Sequence, residues 1–138
     1  MGLAACCQHD LAGRQDLAIG QAALQVITIA DSQYAAYRKN PDFIQRYIFP
    51  GGMLPCPSAF KNAVTAADLH IADSFNFGSS YAETLRRWNA AFQKQWPTIE
   101  ALGFDQRFRR MWQYYLCYCE VGLDYGLVDV GQYLIERR

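Results

Sequence analysis

The sequence predicts an α/β fold, and two observations lead to that prediction. Three stretches have the β-branched or alternating apolar pattern of strands, and longer stretches with apolar residues at helical spacing separate them. Such alternation is typical of a sheet covered by helices. The 138 residues are 51% hydrophobic and 14% aromatic, which is enough for the core of one domain.

The first strand is predicted to begin near residue 23. Residues 1–19 show no sustained apolar period, so no structure is predicted for them. The run Ala23–Ile29 ends in β-branched residues, which predicts a strand buried on both faces. Asp31 or Ser32 is then placed to cap a short helix.

The middle of the chain is predicted to contain two further helices and a second strand. Asp42 can cap a helix that begins at Phe43, and Pro50-Gly-Gly52 is expected to end it. Residues 58–67 have helical spacing. Apolar residues alternate with polar ones over residues 69–75, Phe75 included, which predicts a half-buried strand.

The clearest helical pattern lies between residues 80 and 97. Ser80 and Glu83 have the spacing of a capping box, and Pro97 is expected to close the segment. One apolar stripe runs along this helix and consists of Tyr81, Leu85, Trp88 and Phe92.

A last helix and a third strand complete the predicted fold. Asp105 is placed to cap the helix and Gly122 to end it. Residues 127–135 again have a strand pattern. The apolar stripe of the helix consists of Phe108, Met111, Trp112, Tyr115 and Cys119.

Composition excludes several classes of function. Thirteen basic residues balance thirteen acidic ones, and we find no nucleic-acid-binding motif, so nucleic acid is not expected as a partner. No apolar run approaches the roughly 18 residues of a membrane span, and the N-terminus lacks a signal-peptide pattern. These observations favour a cytoplasmic protein.

The cysteines do not predict a metal site. Five cysteines form no C-x-x-C motif, and only His9 and His70 could complete a ligand set. Cys117 and Cys119 would point to different sides of a helix. Buried free thiols are the favoured interpretation of the cysteines.

Five ordered stretches resemble the C-terminal part of cyclopropane-fatty-acyl-phospholipid synthases. This family of S-adenosylmethionine-dependent methyltransferases includes the mycolic acid cyclopropane synthases. One of these stretches reads FIQRYIFPGGMLP, and its most specific part is the Tyr-Ile-Phe-Pro-Gly-Gly box at residues 47–52. The matching stretches are residues 24–29, 43–55, 76–78, 81–88 and 108–116.

The resemblance implies the C-terminal portion of a Rossmann-like class I methyltransferase fold, over residues 20–138. Residues 1–19 form an unmatched segment. Relatives carry a glycine-rich cofactor loop upstream, whereas Gly13 and Gly20 are seven residues apart with no strand before them. We therefore expect that this chain lacks the cofactor-binding strands. On its own it should be inactive and bind neither S-adenosylmethionine nor bicarbonate.

The resemblance also implies a catalytic role for one tyrosine. In relatives, a methyl group passes from the sulfonium to a cis double bond of a phospholipid acyl chain, and bicarbonate accepts a proton. A tyrosine that holds this ion corresponds to Tyr81. As N1 of a capped helix, Tyr81 would stand beside free N–H groups. Alternatively, Tyr81 is an ordinary member of the apolar stripe.

An acyl substrate needs a long apolar path. Helix-borne aromatics beside a glycine pair suit such a path, although they could equally cover the sheet. The candidate lining residues are Phe43, Tyr47, Phe49, Gly51, Gly52 and Met53.

The resemblance suggests peripheral contact with the inner membrane. Basic residues could meet phospholipid headgroups there, although a solvated face is the alternative. The candidates are Arg86, Arg87, Lys94, Arg107, Arg109 and Arg110. Two other interpretations of the chain stay open. It could be a non-catalytic or regulatory partner of a separate cofactor-binding chain, or a lipid-binding module without chemistry. A homo-oligomer is a further possible arrangement.

Overall fold

The computed structural model describes residues 20–137, so the predictions for residues 1–19 lie outside the described part. A three-stranded sheet is packed against helices, which confirms the predicted α/β class. In chain order the elements are β1 (Gln21–Ile29), α1 (Asp31–Lys39), α2 (Phe43–Tyr47), α3 (Pro57–Ala66), β2 (Leu69–Asn76), α4 (Gly78–Lys94), α5 (Trp96–Ala101), α6 (Gln106–Asp124) and β3 (Val128–Arg137).

The sheet has the order β1-β3-β2, and β3 runs antiparallel to both neighbours. All three predicted strands are present. A bulge between Ile71 and Asp73 changes the face to which β2 side chains point, so Phe75 pairs with Gln132 instead of continuing the face of Ile71. The predicted half-buried alternation is therefore wrong for Phe75, which is 66% exposed and stacks on Phe77.

Each face of the sheet carries its own hydrophobic cluster. On the α3 face, Val64 packs with β1 and β3 side chains such as Val26 and Ile135. On the opposite face, α4 and α6 pack together over Val130. The prediction that β1 is buried on both faces holds only near its C-terminal end, because Ala23 and Gln25 are exposed.

Of the four predicted N-terminal caps, two are confirmed and two are wrong. The Asp42 carboxylate accepts from the backbone N–H of Gln45 at 2.9 Å, and Asp105 accepts from Phe108 N–H at 2.8 Å. Helix α1 is instead capped at Ala30 without a side-chain bond. Asp31 lies in its first turn, where hydrogen bonds from the side chains of Cys56 and Ser58 lower the pKa of the Asp31 carboxyl.

The capping box predicted at Ser80 is wrong, because α4 begins at Gly78, three residues before the predicted first residue Tyr81. Its N-terminus is capped from another element: the carboxylate of Asp129 on β3 accepts from Gly78 N–H at 3.0 Å. Glu83 forms ion pairs with Arg86 and Arg87 instead of reaching back to a cap.

The predicted end of the last helix is also wrong. Helix α6 continues past Gly122 to Asp124, and Gly126 follows in the left-handed region with φ of +66°. Gly122 lies against Val128, where an added Cβ would stand 3.4 Å from the valine methyl. Gly122 therefore lies in the contact between α6 and β3 and does not end the helix.

Candidate functional site

A cleft of about 700 Å³ lies between α6, the sheet and residues 31–54, which we call the roof segment. Its wall is mostly apolar. Ile27 and Val130 belong to the sheet side, Tyr115 belongs to α6, and Phe49 and Leu54 come from the roof segment. The volume is in the range of small-molecule binding clefts.

The roof segment contains α1 and α2, and its two ends meet at the sheet. Ile29 N–H donates to the carbonyl of Pro55 at 3.0 Å, and Ala30 N–H donates to that of Leu127 at 2.9 Å. Within the segment, Leu54 N–H donates to the Tyr37 hydroxyl, and the Gln45 side chain donates to the carbonyl of Gly52. These bonds make the segment a braced unit that covers one side of the cleft.

The structure brings part of the predicted lining together. Phe49, Gly52 and Met53 line the cleft. Phe43 lies outside its wall and packs edge-on against Tyr114, with ring centroids 4.7 Å apart. Tyr47 and Gly51 also lie outside the wall, Gly51 in the tight turn with φ of +80°.

Tyr81 lies in the cleft wall, but the prediction that it is the first residue of a helix, beside free N–H groups, is wrong. It is the fourth residue of α4, and its N–H donates to the carbonyl of Phe77 at 3.0 Å. Its ring packs edge-on to Phe77 and Trp88. Among the described residues its hydroxyl has no hydrogen-bond partner, and burial raises the pKa of the phenol, so it stays a donor at neutral pH.

The wall of the cleft on α6 was not predicted. Tyr115, Tyr118 and Cys119 line it, although two of them were assigned only to an apolar stripe. Burial raises the pKa of the Cys119 thiol to about 11 and raises that of Tyr115 as well. Both groups are therefore neutral and compatible with an apolar ligand.

Three of the six residues of the predicted basic patch have side-chain partners in the described structure. Arg86 contacts carboxylates of Glu120 and Asp124 as well as Glu83, and Arg87 also pairs with Glu83. Arg109 donates to the Gln93 side chain and lies over the Trp96 ring. Within residues 20–137, Lys94, Arg107 and Arg110 have no ion pair or side-chain hydrogen bond, so only these three residues of the predicted patch are without a partner.

Other chemistry is not assembled in the described residues. They contain no group of three or more His, Cys, Asp or Glu side chains placed to hold a metal ion. Cys56, Cys117 and Cys119 are free thiols, and His70 lies 3.6 Å from Glu136. No helix within residues 20–137 has the length and apolar character needed to cross a bilayer.

The described residues do not fit a nucleoside cofactor. Such a ligand needs backbone that can approach its polar groups closely at a strand-to-helix junction. Ala30 alone joins β1 to α1, and Phe77 joins β2 to α4. Gly78 follows Phe77, but the Asp129 carboxylate occupies the space beside its Cα and takes its N–H.

Comparison with known proteins matches most of the chain to one family. The family model "Mycolic acid cyclopropane synthetase" matches residues 14–133. Tuberculostearic acid methyltransferase UfaA1 of Mycobacterium tuberculosis is 40% identical over 119 residues, which cover 86% of this chain and 28% of that protein. Cyclopropane-fatty-acyl-phospholipid synthase of Escherichia coli K12 is 38% identical over 97 residues, covering 69% of this chain and 24% of the synthase.

Two solved structures of cyclopropane synthases share the fold of this chain. Mycolic acid cyclopropane synthase CmaA1 in complex with SAH and CTAB superimposes with a TM-score of 0.78 at 26% identity. The superposition covers 88% of this chain and 45% of CmaA1. Cyclopropane synthase MmaA2 of Mycobacterium tuberculosis gives 0.76 at 23% identity. The chain therefore spans less than half the length of these relatives.

Proposed function

The chain belongs to the mycolic acid cyclopropane synthetase family of S-adenosylmethionine-dependent methyltransferases, and we propose that residues 20–137 supply the acyl-chain side of such an enzyme's active site. The substrate class is an unsaturated fatty acyl chain, carried by a phospholipid. The proposal rests on the cleft beneath the roof segment. Its wall is mostly apolar, and burial raises the pKa of both the Tyr115 hydroxyl and the Cys119 thiol, so these two groups are neutral.

The chemistry of the wall favours a hydrocarbon over a charged ligand. Among the described residues that line the cleft, Asp42 is the only charged one, and no lysine, arginine or histidine of residues 20–137 lines it. Burial of a methylene group contributes about 0.8 kcal/mol to binding. An unbranched acyl chain could therefore gain affinity along the whole cleft without requiring a charged partner.

The relatives named after fatty acyl substrates agree with this assignment. The relatives quoted above include a fatty-acyl-phospholipid synthase and a tuberculostearic acid methyltransferase. The CmaA1 structure contains CTAB, a surfactant with one long alkyl chain, together with SAH. In this family the methyl donor is S-adenosylmethionine, which supplies the transferred carbon when it is bound.

This chain's own residues would bind the acyl chain, hold it extended and keep water from the reacting carbons. Tyr81 is proposed as the hydroxyl donor nearest to the chemistry, because its phenol lies in the wall without a partner among the described residues. One hydroxyl without a neighbouring cation is a weak anion site. The described wall therefore does not fit bicarbonate by itself, and no step is assigned to that ion.

We predict that the 138-residue chain binds a long cis-monounsaturated fatty acid but not the methyl donor. Titration calorimetry with oleate below its micellar concentration should give one site of micromolar affinity. Butyrate, which shares the carboxylate but lacks the chain, should give no resolvable heat. S-adenosylmethionine should also give none. One-site micromolar binding of S-adenosylmethionine, or equal binding of oleate and butyrate, would overturn the proposal.

A further inference from the structure

The roof segment has few attachments to the rest of the structure beyond its base. None of the residues of α1 or α2 is buried. Within residues 20–137, no ion pair connects the segment to another element. A unit with little buried apolar surface opens at a lower free energy than the core does.

The two ends of the segment form a natural hinge. The bonds from Ile29 to Pro55 and from Ala30 to Leu127 hold both ends at the sheet. Asp31 adds the contact to Ser58 at the same place. Because the internal bonds described above brace the segment, it can rotate about this base as one body.

One hydrogen bond joins the far side of the roof segment to α6. The Tyr118 hydroxyl donates to Asp42 Oδ2 at 3.2 Å, while the other oxygen of that carboxylate caps α2. Ring contacts of Phe43 with Tyr114 and of Phe49 with Tyr115 lie beside this bond. Burial and the nearby carboxylate raise the pKa of Tyr118 to about 12, so the phenol remains a donor at neutral pH.

We infer that Tyr118 is a positioning residue that latches the roof segment over the cleft by its hydrogen bond to Asp42, and so sets how fast an acyl chain enters and leaves. The identity of the ligand rests on the proposed function, whereas the latch itself does not. Tyr118 acts through the roof segment, since its partner is the carboxylate that also begins α2.

The test is the substitution Tyr118→Phe, which removes the hydroxyl and keeps the ring. In the full chain without ligand, amide hydrogen exchange in residues 31–54 should become about fivefold faster, while exchange in α4 stays unchanged. Tyr114→Phe is the matched control, because Tyr114 lies one turn away in the same wall and its hydroxyl has no hydrogen-bond partner within residues 20–137. That variant should exchange like the wild type.

A second measurement separates the latch from the ligand. Release of a fluorescent fatty acid, cis-parinaric acid, should be about fivefold faster from Tyr118→Phe than from Tyr114→Phe, with a smaller change in affinity because entry also accelerates. In an Asp42→Ala background, Tyr118→Phe should add nothing further. Equal exchange rates in the two phenylalanine variants, or faster exchange throughout α4, would overturn the latch. Failure of the wild-type chain to bind the probe would instead overturn the proposed function, and the exchange data would still decide the latch.

Discussion

Replacing Gly78 with alanine is expected to lower the free energy of unfolding by about 2 kcal/mol. The added methyl would occupy the space of the Asp129 carboxylate, which must then rotate away. That movement loses the bonds that Asp129 accepts from Gly78 N–H, Val130 N–H and the Asn76 amide. Three bonds at about 1 kcal/mol each outweigh the gain of about 1 kcal/mol from alanine's helix propensity. Urea denaturation followed by circular dichroism measures the difference.

The neighbouring substitution Ser79→Ala is the control, since Ser79 is exposed and has no side-chain hydrogen bond in the described structure. It should change stability by less than about 0.5 kcal/mol. In the double variant Gly78→Ala with Asp129→Ala, the clash is absent. The double variant should therefore be no less stable than the single variant Asp129→Ala. Additive losses would contradict the proposed cap from β3.

Replacing Met53 with glutamate is expected to weaken oleate binding about tenfold. Met53 lines the cleft and is also 42% exposed, so the carboxylate can reach water in the empty protein without unfolding it. When an acyl chain binds, either the new carboxylate loses part of its contact with water, or the acyl chain loses its contacts with this part of the wall. The affinity measured by calorimetry should therefore fall while the denaturation midpoint changes little.

The matched control for this substitution is Leu102→Glu. Leu102 is 75% exposed after α5 and does not line the cleft, but the same charge is added to the chain. Met53→Leu, which keeps the wall apolar, should bind within about twofold of the wild type. Equal affinities of Met53→Glu and Leu102→Glu would show that the acyl chain does not contact this part of the roof segment.

The elements that could be predicted from sequence are those whose determinants are close in the chain. Asp42 and Asp105 accept from a backbone N–H three residues ahead, so their helices start where predicted. The start of α4 depends on Asp129, which is 51 residues away, and a local capping box at Ser80 was predicted in its place. The bulge in β2 likewise depends on pairing with β3.

The candidate site follows the same rule. Phe49 and Met53 were predicted to line a path because they lie in one apolar stretch, and both do line the cleft. The part of the wall that α6 contributes was not predicted. Tyr115 and Cys119 recur at helical spacing, and so do the apolar residues of α6 that enter the core, such as Leu116. Periodicity identifies an apolar helix face, but only packing separates the part that meets a core from the part that meets a cleft.

The sheet offers a second, shallower depression of about 370 Å³ that could compete for an acyl chain. It lies over the exposed end of β1 and β2, where Ala23, Phe75 and Leu134 form part of its wall. Neither Tyr81 nor any residue of the roof segment lines this depression, and none of its lining residues is shared with the larger cleft.

Photo-crosslinking with a fatty acid that carries a diazirine in mid-chain tests the central claim most directly. Irradiation of the full chain with a stoichiometric amount of this probe, followed by peptide mass spectrometry, locates the bound chain. We predict that label enters residues 49–54 of the roof segment and residues 114–121 of α6, and that excess oleate prevents it. Label concentrated at Ala23, Phe75 or Leu134, or spread along the chain regardless of oleate, would contradict the assignment of the cleft as the acyl site.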